Sequence, residues 1–234
     1  MHEKKAFLFI DLIPGLNHIP EHITLSFLVM VLLGMCALAF GSRLNVLTHI
    51  VPSRHLSVVN LVDMACSHLF EFCASILDAA QAKEHFGFIA SLFFFILFSN
   101  LIGLIPGFLP PAENLNTTLA LGVVVFLYYN FVGFKTNGFV YAKHFLGPVI
   151  WISPLMLVIE LVSHLFRPIS LALRLRGNIM GDHIILGVFS DLIPPFIPVP
   201  ALFIALGVFV AFMQAFVFSL MSMVYILLAQ AHED

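Results

Sequence analysis

Apolar and polar positions alternate along this chain on the scale of whole helices. Ile23 to Phe40 is the first apolar run, entered from His22 and left through Gly41, Ser42 and Arg43. Phe86 to Ile105 is the second, stopped by Pro106 and Gly107, and Thr117 to Phe134 is the third, followed by Lys135. None of the three contains Asp, Glu, Lys or Arg, and each approaches the ~20 residues an α-helix needs to cross hydrocarbon. Residues 54–84, between the first two runs, follow a different rule. Asn60, Asp63, Ser67, Glu71, Ser75 and Asp78 recur every three or four positions, with Val59, Val62, Ala65, Leu69, Phe72 and Ile76 on the other side. That spacing predicts an amphipathic helix lying on the membrane surface or against protein. Its polar face is acidic, which favours packing on protein over attraction to anionic lipid.

The last third is apolar but interrupted by charge. Residues 148–193 hold Glu160, His164, Arg167, Arg174, Arg176, Asp182 and His183. As one helix this stretch would reach about 65–70 Å, roughly twice the hydrocarbon thickness. Asp191, Pro194, Pro195, Pro198 and Pro200 mark a turn, and residues 201–230 form a second long run. Either each run folds into two short spans, or both are long helices tilted as an antiparallel hairpin. Pro168 is the internal breaker of the first run.

Composition agrees with the pattern. Of 234 residues, 61% are hydrophobic and 10% charged, against roughly 45–50% and about 25% in soluble domains. Mean hydropathy is +1.05. The predicted class is an all-α integral membrane protein with about five membrane-embedded helices and one amphipathic surface helix, in a single membrane domain covering 1–234. A net charge of -3 offers no basic face for nucleic acid. Cys36, Cys66 and Cys73 form no CxxC pair and read as small apolar packing groups. Lys4, Lys5 and the short run Ala6 to Ile10 lack a small-residue cleavage site, which argues against a removed leader.

Lys and Arg in short loops set the orientation. Arg43, Arg54 and Lys83 lie between runs one and two, and Lys135 and Lys143 follow run three, whereas the loops around Glu113 and Asp191 carry neither. With five crossings, the N-terminus lies outside and the C-terminus inside. Lys4 and Lys5 run against this bias.

Ser163, Arg167, Ser170, Arg174 and Asn178 fall at helical steps of four, three, four and four, and Glu160 joins them one step earlier. Leu165, Ile169, Ala172 and Leu175 are expected on the opposite side. Arginine cannot escape the bilayer by losing its proton, and a central Arg costs roughly 2.5–3.5 kcal/mol on insertion scales. Such a stripe faces water or another subunit. Arg167 has a competing reading as an ion pair with Glu160, and Arg176 as one with Asp182. No carboxylate lies within one turn of Arg174.

The run Arg167-Pro168-Ile169-Ser170-Leu171-Ala172-Leu173-Arg174-Leu175-Arg176-Gly177-Asn178 resembles the signature of subunit a of F-type ATP synthases. Gln214-Ala215-Phe216-Val217-Phe218 resembles its second signature, and Asn114 to Leu119, with Ser99-Asn100-Leu101 and Pro106, its middle region. The resemblance implies the long tilted hairpin. It also implies a non-catalytic subunit beside a rotating ring of c subunits, with peripheral-stalk b subunits and the rest of the synthase as partners. By the same resemblance the cargo would be protons, with no cofactor, and the location a bacterial inner membrane. Arg174 would stand between two offset aqueous half-channels. Glu160 and Ser163 would belong to the inner one; Asn178, His183 and Gln214 would lie near the arginine and the outer one, with Asn114 and Asn116 towards its mouth.

Departures from the family pattern are Gly207, where members often carry His or Glu, and Arg176, where Phe is usual. His183 stands where Glu is frequent, and Gly103 and Gly107 stand where some relatives carry acids, leaving Glu113 as an outer-channel candidate or a loop charge. His18-Ile19-Pro20-Glu21-His22 imitates the HxxEH zinc pattern, but Pro20 lies inside the turn that must align both histidines. Asn116-Thr117-Thr118 reads as a polar entry to a span rather than a glycan site. A self-contained secondary transporter is the competing class; the internal repeats usual in that class are not found.

Overall fold

The computed structural model describes residues 21–41, 58–105, 110–138, 153–192 and 199–230. Expectations that fall on Lys4, Lys5, Arg43, Arg54, Lys143, the proline turn and the C-terminal residues 231–234 lie outside these segments, as do the side chains of Glu160, Asp182 and His183.

The described chain forms six α-helices and a short 3-10 turn: α1 (Glu21–Gly41), α2 (Val58–Ile76), α3 (Ala79–Gly103), the turn Pro111–Glu113, α4 (Leu115–Asn137), α5 (Ser153–Leu192) and α6 (Val199–Gln230). Four of them, α3 to α6, are long and apolar enough to cross a membrane, and α1 adds a shorter apolar stretch, His22–Leu38. No strand occurs among the described residues. The all-α membrane class predicted above is the observed one.

The helix expected over 54–84 is broken. α2 ends at Ile76, Leu77 and Asp78 form the joint, and residues 79–84 are the first turns of α3. The polar residues Asp63, Ser67, Glu71 and Ser75 of α2 are exposed, while Leu69 and Cys73 are buried. This helix packs on its own chain. Phe70 meets Phe86 of α3 edge-on at 5.3 Å, and Phe72 lies 4.7 Å from Phe216 of α6. Burial pushes the Cys73 thiol up to about 11, so this cysteine behaves as the small apolar group the sequence suggested.

α4 starts where Asn114 caps it, its Oδ1 accepting the Asn116 N–H at 2.9 Å. It stops at Gly138, whose φ of 54° suits a residue without Cβ. α3 tightens at its end, with the Leu104 and Ile105 amides donating to Leu101 and Ile102, just before a proline that could not continue the helix.

Three antiparallel pairings build the bundle. Along α3 and α6, Phe93 packs on Phe212 at 5.9 Å, and Gln230 reaches His85 at 3.0 Å. Along α4 and α5, His164 meets Asn130 at 2.9 Å, and further on the Arg176 Nε–H donates to the Glu113 carbonyl at 3.2 Å. Along α5 and α6, Arg167 lies over Tyr225 at 5.4 Å; eleven residues further along α5 and eleven back along α6, Asn178 bonds Gln214 at 2.6 Å. The last two helices are thus an antiparallel hairpin. At 40 residues, α5 is about 60 Å long, well beyond a 30 Å hydrocarbon core.

Pro168 does not break α5, which stays helical on both sides of it. A neighbouring helix supports it: Gly122 of α4 lies so close that a Cβ there would stand 2.6 Å from the Pro168 carbonyl oxygen. The obstruction is backbone and cannot swing aside. Gly122→Ala should therefore destabilise the α4–α5 contact by about 1–3 kcal/mol, read as a lower thermal midpoint of the assembled membrane complex. Gly87→Ala, where a Cβ meets nothing within 4 Å, should leave the midpoint unchanged.

Candidate functional site

The site is built on α5, which has three faces rather than two. His164, Leu171, Ala172, Leu175 and Ile179 are buried against α4 and α6. Ser163, Ser170, Arg174 and Asn178 are exposed together, with Arg167 partly buried beside them. Leu165 and Ile169, expected on the side opposite this stripe, lie there and are 51% and 38% exposed. The reason is geometric. α5 touches the bundle along one narrow side, so Ala172 and Leu175 are covered while a separate apolar side with Leu165, Phe166 and Leu173 faces outward.

Among the described residues, Arg174 has no ion pair; the ion pairs are His68–Glu71 and Glu84–Lys135. The other two arginines are engaged. Arg167 has its guanidinium over the Tyr225 ring, a favourable place for a cation. Arg176 donates to the Glu113 carbonyl rather than to a carboxylate, which ties α5 to the 3-10 turn before α4. The described partner of Arg176 is therefore backbone; the Asp182 pairing the sequence suggested falls on a side chain outside the described residues.

Asn178 and Gln214, on different helices of the hairpin, are brought together: the Asn178 Nδ2–H donates to Gln214 Oε1 at 2.6 Å. Gln214 is buried, and behind it a small cavity has about 20 Å³ for the centre of a water molecule, lined by Gln214, Asn100, Gly103, Leu104 and Gly207. One water needs roughly 10–15 Å³ by that measure. Both amide atoms of Asn100 are buried there without a hydrogen-bond partner among the described residues. A buried amide left unpaired costs about 1–3 kcal/mol per group, so this pocket favours water over hydrocarbon.

Asn114 caps α4 and its Nδ2 lies 3.1 Å from His22 Nδ1, while Asn116 is exposed on the next turn. They stand at the end of the bundle where Arg176 meets Glu113. Glu160 and His183 lie on α5 by backbone, and Ser163 is exposed on it. No cluster of three His, Cys, Asp or Glu side chains with metal-ligand geometry occurs among the described residues.

Three polar groups beyond the sequence-derived set stand out. Asn100 is one. His164 with Tyr129 and Asn130 is the second. The third is His85, held by the Tyr128 hydroxyl at 2.9 Å and by Gln230, which ties α3, α4 and α6 at one end. For Asn100 and His164 the signal in the sequence is the one that exposed Arg174, a polar side chain inside an apolar run; His85, just before such a run, carries no comparable signal.

Gly207 has a partner that explains its size. A Cβ at this position would lie 2.5 Å from Leu104 Cδ2, so Leu104 fills the space a larger side chain would take. Gly207→His should destabilise the complex by about 1–3 kcal/mol through overpacking. Leu104→Ala in the same chain should restore most of it, as read by thermal retention of the subunit in the complex.

The fold and site define a polytopic helical membrane protein in which the polar face of a long apolar helix, α5, carries an arginine with no ion-pair partner among the described residues. Residues 23–227 match the family described as ATP synthase A chain. The chain is 45% identical over 230 residues, covering 97% of it and 99% of its counterpart, to ATP synthase subunit a of Bdellovibrio bacteriovorus. It is 44% identical over 213 residues, 90% of this chain and 87% of the other, to ATP synthase subunit a 1 of Syntrophotalea carbinolica. It is 52% identical over 146 residues, 62% and 63% of the two chains, to ATP synthase subunit a of Geobacter sulfurreducens. The chain belongs to the ATP synthase A chain family.

Proposed function

We propose that this chain is the stator-side proton conductor of a rotary ATP synthase and that Arg174 separates its two half-channels. Family membership makes it a non-catalytic membrane subunit of the synthase. The observation that carries the finer reading is Arg174 itself, exposed on the polar face of α5 and without an ion-pair partner among the described residues. A fixed positive charge at membrane depth needs an anion, and the anion that fits is a carboxylate on the c-subunit ring, brought there by rotation.

The chemistry follows from charge. A carboxylic acid crosses lipid at modest cost when neutral and at high cost when ionised. As a ring carboxyl group approaches Arg174, the guanidinium favours its ionised form and the proton leaves. The same charge stops protons from passing straight between half-channels. Glu160 and Ser163 line the inner path. Asn178, Gln214 and His183 serve the outer path near the arginine, with Asn114 and Asn116 towards its mouth. The orphaned Asn100 amide beside Gln214 supports water in that outer path.

The partners are the c ring, the peripheral-stalk b subunits and the remaining synthase subunits, in a bacterial inner membrane. The end of the bundle with Lys83, Lys135 and Gln230 is the cytoplasmic one by its lysines, which puts the C-terminus inside and the N-terminus outside.

In vesicles carrying the whole complex, Arg174→Ala should abolish ATP-driven proton pumping while ATP hydrolysis persists. Arg174→Lys should also lose most coupled pumping, because an ammonium can shed its proton and a guanidinium cannot. Pumping near the wild-type level in Arg174→Ala would make the arginine structural and end this mechanism.

A further inference from the structure

α5 has an unusual mechanical problem. Two of its three faces are exposed in this chain, and lipid-facing apolar surface gives no preference for one rotation of a helix over another. One residue of helix corresponds to about 100° around the axis, so a modest turn would exchange the polar face for the apolar one. Something must fix α5 about its own axis.

His164 is placed to do so. It is 5% exposed, lies one residue from Ser163, and its Nε2 is 2.9 Å from Asn130 Oδ1 and 3.3 Å from the Tyr129 hydroxyl, both on α4. The Asn130 orientation is itself set. Its Nδ2–H donates to the Phe126 carbonyl at 2.7 Å, which turns its oxygen towards the histidine. An amide oxygen only accepts, so the His164 Nε2 carries the hydrogen and donates it. The ring is further enclosed by Phe126 and Tyr129, each edge-on at 5.2 Å. One turn further on, the Pro168 carbonyl bears on Gly122, a contact that fixes closeness but offers no directional bond.

We propose that His164 is a positioning residue: through Asn130 it sets the rotation of α5, and so the direction in which Ser163, Ser170 and Arg174 point. It neither carries the transported proton nor touches the ring. The inference rests on the reading of the polar face as the aqueous, ring-facing one.

The test uses the assembled complex in membranes, with Cys36, Cys66 and Cys73 replaced by alanine. Single cysteines at Ser163 and Ser170 report the polar face, and at Leu165 and Ile169 the apolar one. Labelling with a water-soluble maleimide is compared for His164, His164→Leu and His164→Gln, alongside protons pumped per ATP. With His164→Leu the ratio of polar-face to apolar-face labelling should fall several-fold, and the pumping ratio with it. His164→Gln places an N–H donor where the Nε2–H was and should restore both. Asn130→Leu, which leaves the histidine in place, should reproduce the fall even if His164→Leu fails to assemble. A face preference that survives Asn130→Leu, and His164→Leu wherever that variant assembles, overturns the positioning role alone. Equal labelling of both faces in the wild-type chain contradicts the aqueous-face reading and takes the positioning role with it.

Discussion

A guanidinium in a membrane keeps its charge, because its proton is held too tightly to be released. Arg174 sits on a helix whose neighbouring exposed residues are largely Leu, Ile, Phe and Met, and the described chain provides it no carboxylate. Much of the described packing of α5 can be related to that one charge, which has no ion-pair partner among the described residues. α5 is buried on only one side, so that the arginine face stays open. The other two arginines of α5 are occupied, Arg167 by the Tyr225 ring and Arg176 by the Glu113 carbonyl.

Holding a long helix in this way requires directional contacts, since apolar packing in lipid has little driving force of its own. The bundle supplies them in sequence along α5: His164 with Asn130, Arg176 with the turn before α4, and Asn178 with Gln214, while the Pro168 carbonyl against Gly122 adds a close but undirected approach. Each is a polar or close backbone contact within an otherwise apolar interface. Stability and function are therefore not separable along this helix. The contacts that fix it are interleaved with the residues proposed to conduct.

Much of this was legible in the sequence, for a physical reason. Apolar runs must match the membrane thickness, so α3 and α4 announced themselves, and a helical stripe that includes Arg174 could be read from spacing alone. The last two runs exceed that thickness, and only the resemblance chose a long hairpin over shorter spans. The pairing of Asn178 with Gln214 required the resemblance, because residues on different helices share no period. The joint at Leu77 and Asp78 was not legible: the polar residues keep their rhythm through the break, and Asp78 is as acceptable in a joint as on an exposed face. Leu165 and Ile169 do lie away from the polar stripe, but a pattern that separates polar from apolar sides does not tell which apolar positions meet protein and which face outward. The partners of Asn100, His85 and His164 were not legible, because each lies on or between other helices and such contacts share no sequence period.

The most direct test of the account is a cross-link. In the complex with the native cysteines replaced by alanine, a single cysteine at Ser170 on the polar face, or at Ile169 on the apolar one, is oxidised against a cysteine placed one helical turn from the ring carboxylate. The account predicts a disulfide from residue 170, formed in membranes under mild oxidation, and little from residue 169. A disulfide that forms mainly from residue 169 would mean that another face of α5 meets the ring, and that Arg174 does not hold the passing carboxylate.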